Sequence, residues 1–127
     1  MILGTGIDLV DLQRVRRIWE RRGNRFADRI LAPEEKESAV GITVELLGSR
    51  FAAKEACVKA LGTGFSGGIG LRDILVLHGK SGRPELVLKG NALEAARKLG
   101  VASRHLSLSH ERSMAIALVI LEASPKT

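Results

Sequence analysis

Arg50-Phe51-Ala52-Ala53-Lys54-Glu55-Ala56-Cys57-Val58-Lys59 reads as helix, yet its four charged residues lie among apolar ones instead of gathering on one polar side. At about 100° per residue, Phe51, Glu55, Val58, Lys59 and Gly62 share one sector, and Ala52, Ala56 and Ala60 form a neighbouring stripe of small residues. Two readings account for the charges. Glu55 and Lys59 form a solvated i,i+4 pair contributing only tenths of a kcal/mol, or a carboxylate and an ammonium face a ligand beside a tightly packable surface. The helix is expected from Val44 to Leu61, with Thr43 as its N-cap and Gly62 ending it in the left-handed conformation.

Upstream, residues 2 to 10 read as a strand with Leu3, Ile7 and Leu9 on one face and Gly4, Gly6 and Asp8 on the other. The two glycines leave space beside Asp8. Asp11 suits an N-cap for a helix running to about Arg22, with apolar positions Leu12, Val15, Ile18 and Trp19. That helix carries Arg14, Arg17 and Arg21 at steps of three and four, a basic stripe that Arg25 extends if the helix continues. The stripe is either a solvated face or a dock for an acidic helix, whose carboxylates arginine forks can pair. Pro33, with Glu34 and Glu35 behind it, suits the first turn of a short helix ending near Gly41.

Downstream, Gly62 to Gly70 holds five glycines in nine residues and is read as a loop. Its backbone amides suit close approach to a phosphate or a pantetheine-like chain, although it matches neither common phosphate fingerprint and equally suits a connector. Arg50, Lys54 and Lys59 supply cations near it, either solvated or facing phosphate. Ile74–His78 and Glu85–Lys89 read as a hairpin turned by Lys80 to Arg83. Asn91 with Glu94 resembles a capping box for a helix closing at Leu99 and Gly100. Residues 104 to 110 and 113 to 122 read as a second hairpin, with His110 at its end as a phosphate contact, a proton shuttle or a structural residue. The order strand, helices, hairpin, helix, hairpin predicts an α+β fold with helices packed on a mainly antiparallel sheet.

At 127 residues the chain suits one domain, 1–127, with one core. Its longest apolar run, Met114 to Leu121, is far short of the ~20 residues that span a bilayer, and the N-terminus lacks a secretory pattern. Cys57 alone can form neither an internal disulfide nor a multi-cysteine metal site, and it reads as a small packed residue, in keeping with a reducing compartment. The formal charge of +6 points to a negatively charged partner. Four scattered aromatics, Trp19, Phe26, Phe51 and Phe65, argue against stacked single-stranded bases. Asp8 and Glu55 are the candidates for a hard-cation site, since magnesium takes one or two carboxylates plus waters and substrate phosphates. A strand-end aspartate bonding its own backbone is the other reading of Asp8.

Gly4-x-Gly6-Ile7-Asp8, then Arg50-Phe51-Ala52-Ala53-Lys54-Glu55-Ala56-x-x-Lys59-Ala60-x-Gly62-Thr63-Gly64, then His105-x-Ser107-x-Ser109-His110 together resemble the holo-acyl-carrier-protein synthase family of 4′-phosphopantetheinyl transferases. The likeness covers nearly the whole chain and implies the family's fold. It implies transfer of the 4′-phosphopantetheine arm of coenzyme A to a serine of apo acyl carrier protein, leaving 3′,5′-ADP, in cytoplasmic fatty-acid or polyketide synthesis. It assigns magnesium to Asp8 and Glu55, and catalysis to Glu55 and Lys59, with Glu55 taking the serine proton directly or through a water. Arg50 and His110 then contact nucleotide phosphates, Gly62, Thr63 and Gly64 line the pantetheine path, and Arg83 and Pro84 lie near the adenine. Arg14, Arg17 and Arg21 meet the carrier's acidic helix, and the short members form homotrimers with sites between subunits. Neither nucleic acid nor membrane is an implied partner. Met114, where an aromatic is frequent, and the glycine-rich stretch Phe65 to Gly70 depart from the family pattern. A basic nucleic-acid module and a non-catalytic adaptor for acidic helices are the competing readings.

Overall fold

The computed structural model describes residues 1–125; Lys126 and Thr127, included in the single domain expected over 1–127, lie outside the described residues. The elements run β1 (Ile2–Asp11), α1 (Leu12–Arg22), α2 (Asn24–Ile30), α3 (Pro33–Ser38), α4 (Val44–Leu61), a 3-10 turn (Leu71–Asp73), β2 (Ile74–His78), β3 (Pro84–Leu88), α5 (Gly90–Leu99), β4 (Val101–His110) and β5 (Met114–Ala123). β5 lies between β1 and β4 in an antiparallel three-stranded sheet, and β2 and β3 form a separate antiparallel hairpin. The expected α+β class and both hairpins are present.

Helix α4 is the centre of the molecule. Thr43 Oγ1 accepts the Leu46 amide at its start, and Gly62, at φ 77°, ends it. Thirteen of its 18 residues are buried, so it has almost no polar side on which charges could gather. This is why Arg50, Lys54, Glu55 and Lys59 interleave with apolar residues. On one side the stripe Ala52, Ala56 and Ala60 packs into the core with Ala115, Ala117, Val119 and Leu121 of β5. Cys57 is enclosed in the same core, as its sequence context suggested, and burial pushes its thiol up to about 12.

The other face of the sheet is uncovered. The register aligns Thr5 with Ile120 and His105, Ile7 with Leu118 and Ser107, and Leu9 with Ile116 and Ser109. Ile7 and Leu9 are 56% and 61% exposed, and Leu118 is 39% exposed. Neighbouring apolar side chains left in water on one sheet face mark an interaction surface.

Three local readings are corrected. Gly23, at φ 57°, breaks the arginine-rich stretch, so Arg25 belongs to a second helix, α2, that sequence reading did not anticipate. Asn91 does not cap α5: the N-cap is Lys89 without a side-chain bond, and Asn91 Nδ2 donates instead to the Gly68 carbonyl at 3.1 Å. The third concerns Gly4 and Gly6, whose space is filled by protein.

Candidate active site

A Cβ on Gly4 would stand 2.0 Å from the Ala60 carbonyl oxygen, and one on Gly6 1.8 Å from that of Ala56. The glycines therefore let the α4 backbone lie directly on β1, and the alanine stripe is the other half of that contact. They do not hold room for a ligand. Asp8 is the next residue on the same strand face, where the helix can no longer touch the strand without a side chain between them. Lys59 fills that place: its Nζ donates to Asp8 Oδ1 at 2.9 Å and to the Ile7 carbonyl at 3.0 Å. The solvated Glu55–Lys59 pair gives way to a pair between helix and strand.

Glu55, one helical turn before Lys59, opens onto a cavity of about 460 Å³ lined by Asp8, Arg14, Phe26, Phe51, Glu55 and Met114. Burial raises the Glu55 carboxyl above its ordinary value of 4.5, the Asp8 charge adds to the rise, and Lys59 opposes it. Two carboxylates close enough to repel, with a single ammonium beside them, form a hard-oxygen donor set with spare negative charge. This is the composition a magnesium ion takes from protein before adding waters and phosphate oxygens. A carboxyl drawn upward in pKa is also better matched to accepting a proton near neutral pH.

Arg14, Arg17 and Arg21 project from one stretch of α1 and line a shallow depression with Ile18 and Glu20. Arg14 also reaches the Asp8–Glu55 cavity, so the basic stripe runs to the rim of the candidate site. Gly62, Thr63 and Gly64 follow the end of α4 directly, but their amides donate back to the helix. Gly62 N–H bonds Lys59 O at 3.1 Å, and those of Thr63 and Gly64 bond Val58 O at 3.2 and 3.3 Å. These three amides are therefore engaged within the chain, and what this part of the glycine-rich loop offers a phosphate or a pantetheine-like chain is shape.

Arg83 and Pro84 lie elsewhere, in a groove of about 650 Å³ between β3 and β4 with Arg104, His105, Ser107 and Leu108. Arg104, absent from the sequence-based candidates, is anchored there by Nε donating to the Leu86 carbonyl at 2.9 Å. This groove and the Asp8–Glu55 cavity share no lining residue. His110 ends β4 opposite Ala115, exposed, while Val10 pairs with Ala115 from the other side. By strand spacing, His110 sits on the order of 12 Å from Asp8, two strands across and two residues along.

On the far side of α4, Lys54 is entirely enclosed, which corrects both its readings, as a solvated cation and as one facing a phosphate. Its Nζ donates to Glu35 Oε1 at 2.6 Å, the Ile30 carbonyl at 2.6 Å and the Leu71 carbonyl at 3.0 Å. Glu35, 3% exposed, also accepts the Ala32 amide on Oε1 and the Val76 amide on Oε2. Arg50 is buried next to this network, its guanidinium donating to Ser49 Oγ at 3.4 Å and feeling the Glu35 charge. Arg50 thus stands apart from Asp8, Glu55 and Lys59. No sequence signal linked Glu35 to Lys54, 19 residues away.

Residues 4–119 match the family model described as the 4′-phosphopantetheinyl transferase superfamily. A holo-[acyl-carrier-protein] synthase from Desulfovibrio desulfuricans is 50% identical over 123 residues, 97% of this chain and 99% of that protein. Among solved structures, the holo-[acyl-carrier-protein] synthase of Neisseria meningitidis is 41% identical with a TM-score of 0.86, covering 96% of this chain and 99% of that one. The Bacillus anthracis holo-(acyl-carrier-protein) synthase in complex with CoA (3′,5′-ADP) is 35% identical with a TM-score of 0.79, covering 98% and 99%. With half its residues shared over nearly its full length and the same fold throughout, the chain belongs to the holo-[acyl-carrier-protein] synthase family of the 4′-phosphopantetheinyl transferase superfamily.

Proposed function

We propose that this chain is a magnesium-dependent holo-acyl-carrier-protein synthase, transferring 4′-phosphopantetheine from coenzyme A to a serine of apo acyl carrier protein in cytoplasmic fatty-acid or polyketide biosynthesis. The observation that carries this reading is the meeting of Asp8 on β1 with Glu55 on α4 at one cavity, with Lys59 of the same helix bonded to Asp8.

Asp8 and Glu55 would hold the cation, which when bound neutralises pyrophosphate charge and polarises the phosphoryl group under attack. The serine Oγ bonds to the phosphorus that carries pantetheine, and the bridging P–O bond to the adenosine phosphate breaks, its electron pair leaving with 3′,5′-ADP. Glu55 receives the serine proton, directly or through a water. Lys59 moves its ammonium onto the phosphate oxygens, where charge builds as the bridge breaks. Phe51 and Phe26 wall the cavity, limiting water around the reacting groups.

The arginine stripe on α1 meets an acidic helix of the carrier protein, and Arg14 at the cavity rim brings the carrier's serine towards Glu55. Arg83 and Pro84 receive the adenine, and Arg50 and His110 the nucleotide phosphates. The groove and the cavity of one chain share no wall, so one nucleotide would engage both most readily across two subunits. Burying Ile7, Leu9 and Leu118 supplies the driving force for a homotrimer that joins them. The chain acts as one domain; among the described residues no helix is long and apolar enough to cross a membrane.

The test is mass spectrometry of several apo acyl carrier proteins incubated with the protein, coenzyme A and magnesium. The carrier should gain one phosphopantetheine mass, and EDTA or Asp8→Ala should abolish the gain. Carriers that bind through Arg14 and Arg17 without being modified would instead support an adaptor, and steeply salt-dependent binding of DNA or RNA would support the nucleic-acid reading.

A further inference from the structure

Lys59 does something on Asp8 that the transfer reaction does not require. Its Nζ sits between two oxygens of neighbouring residues on β1, Asp8 Oδ1 at 2.9 Å and the Ile7 carbonyl at 3.0 Å. A carboxylate and a carbonyl are the donors a hard cation takes. The Asp8 side chain is only 16% exposed, so the ammonium occupies part of the little access it has, while Lys59 is 52% exposed on a flexible stem. Glu55, raised by burial and by Asp8, stands beside the pair with its charge only partly answered.

We propose that Lys59 holds the cation position on Asp8 in the substrate-free protein, so that a divalent cation binds well only once a pyrophosphate has drawn the ammonium away. This inference rests on the magnesium-dependent reading above. A dication and an ammonium cannot share one carboxylate oxygen at these distances without strong repulsion. The ammonium end of the pair is half in solvent, so the lysine is displaceable rather than locked. A pyrophosphate then acts twice, giving oxygen ligands to the cation and an anionic partner to Lys59. Cation and substrate affinities are therefore coupled, each raising the other by the same factor.

The test titrates Mn²⁺ into substrate-free protein, following free Mn²⁺ by electron paramagnetic resonance, and repeats the titration at saturating coenzyme A. Lys59→Met should bind Mn²⁺ at least about threefold more tightly than wild type without coenzyme A. The advantage should vanish or reverse with coenzyme A, because the wild-type lysine has then left Asp8. Lys59→Gln, a second variant of this half-exposed residue, should behave alike. Arg14→Gln removes a cation from the same cavity without touching Asp8 and should gain less. Equal or weaker binding by both Lys59 variants, an equal gain in Arg14→Gln, or an advantage that persists with coenzyme A overturns the proposal while leaving the transferase reading intact. Failure of Mn²⁺ to bind wild type even with coenzyme A overturns both.

Discussion

Replacing Glu35 by glutamine changes almost no volume and removes one charge, and the network around it sets the consequence. Oε1 accepts both Lys54 Nζ at 2.6 Å and the Ala32 amide at 2.9 Å, and Oε2 accepts the Val76 amide at 3.0 Å. A glutamine has one carbonyl and one NH2, so either the Val76 amide or the Lys54–Ala32 pair must face a donor instead of an acceptor. Lys54, with no exposure, keeps its charge without a counter-ion, and desolvation already lowers its pKa. Breaking a buried pair by removing one partner's charge costs about 3–5 kcal/mol. With about 2.1 cal/mol/K of unfolding entropy per residue, the chain's 127 residues carry about 0.27 kcal/mol per degree, so the midpoint should fall by about 11–19 °C.

The assay is thermal unfolding by circular dichroism at fixed protomer concentration, because an oligomer's midpoint moves with concentration. Glu34→Gln is the internal control. Glu34 is the preceding residue on the same short helix, pairs with Lys89 at 2.7 Å in solvent, and should leave the midpoint nearly unchanged. If Glu35→Gln lowers the midpoint by less than about 4 °C, equivalent to about 1 kcal/mol, the buried pair contributes no more than a surface one and the reasoning is refuted.

Gly6→Ala should destabilise the fold by about 2–3 kcal/mol in urea unfolding, because its Cβ falls 1.8 Å from a helix carbonyl that cannot rotate away. Glu55→Gln should abolish transfer in the mass-shift assay without lowering stability at pH 7. Between 4.5 and its higher native pKa the folded state holds more protons at Glu55 than the unfolded chain, so stability falls as pH rises through that window, and the variant should flatten that slope in denaturant titrations. Cys57 should resist iodoacetamide at pH 8 in the folded protein, its thiol pushed up to about 12, and react once urea unfolds the core.

The elements that sequence reading found are those whose signals are local. Thr43 and Gly62 delimit α4 by their own caps, and alternation delimits the two hairpins. Asp8, Glu55 and Lys59 were legible because a strand alternates with period two and a helix turns every 3.6 residues, so each was placed on a face before its partner was known. What escaped depends on contacts between distant segments. Glu35 looked like an acid suited to a helix start, and only the arrival of Lys54 and Val76 makes it a buried counter-ion. Asn91 and Glu94 have capping-box spacing, but Gly68 competes successfully for the asparagine amide. α2 is seven residues without a side-chain cap, held by tertiary packing that no local pattern encodes.

Lys54 and Glu55 are adjacent in sequence yet act on different sides of one helix, because a single residue step turns it by about 100°. Lys54 points to Glu35 and ties α4 to the end of α2, to α3 and to the segment entering β2. Glu55 points to the cavity, where its burial and the Asp8 charge work against it. The two substitutions should therefore separate cleanly. Lys54→Met leaves Glu35 buried without a counter-ion, so it should lower stability strongly, and any protein that remains folded should keep its transfer chemistry. Glu55→Gln removes a poorly solvated carboxylate and should do the reverse. A helix buried on nearly every side can carry Lys54, Glu55 and Lys59 because the first completes a scaffold contact and the other two complete a site. Its close approach to the sheet comes from Gly4 and Gly6 meeting Ala56 and Ala60, and Lys59 adds its bonds to Asp8 and Ile7 beyond that contact.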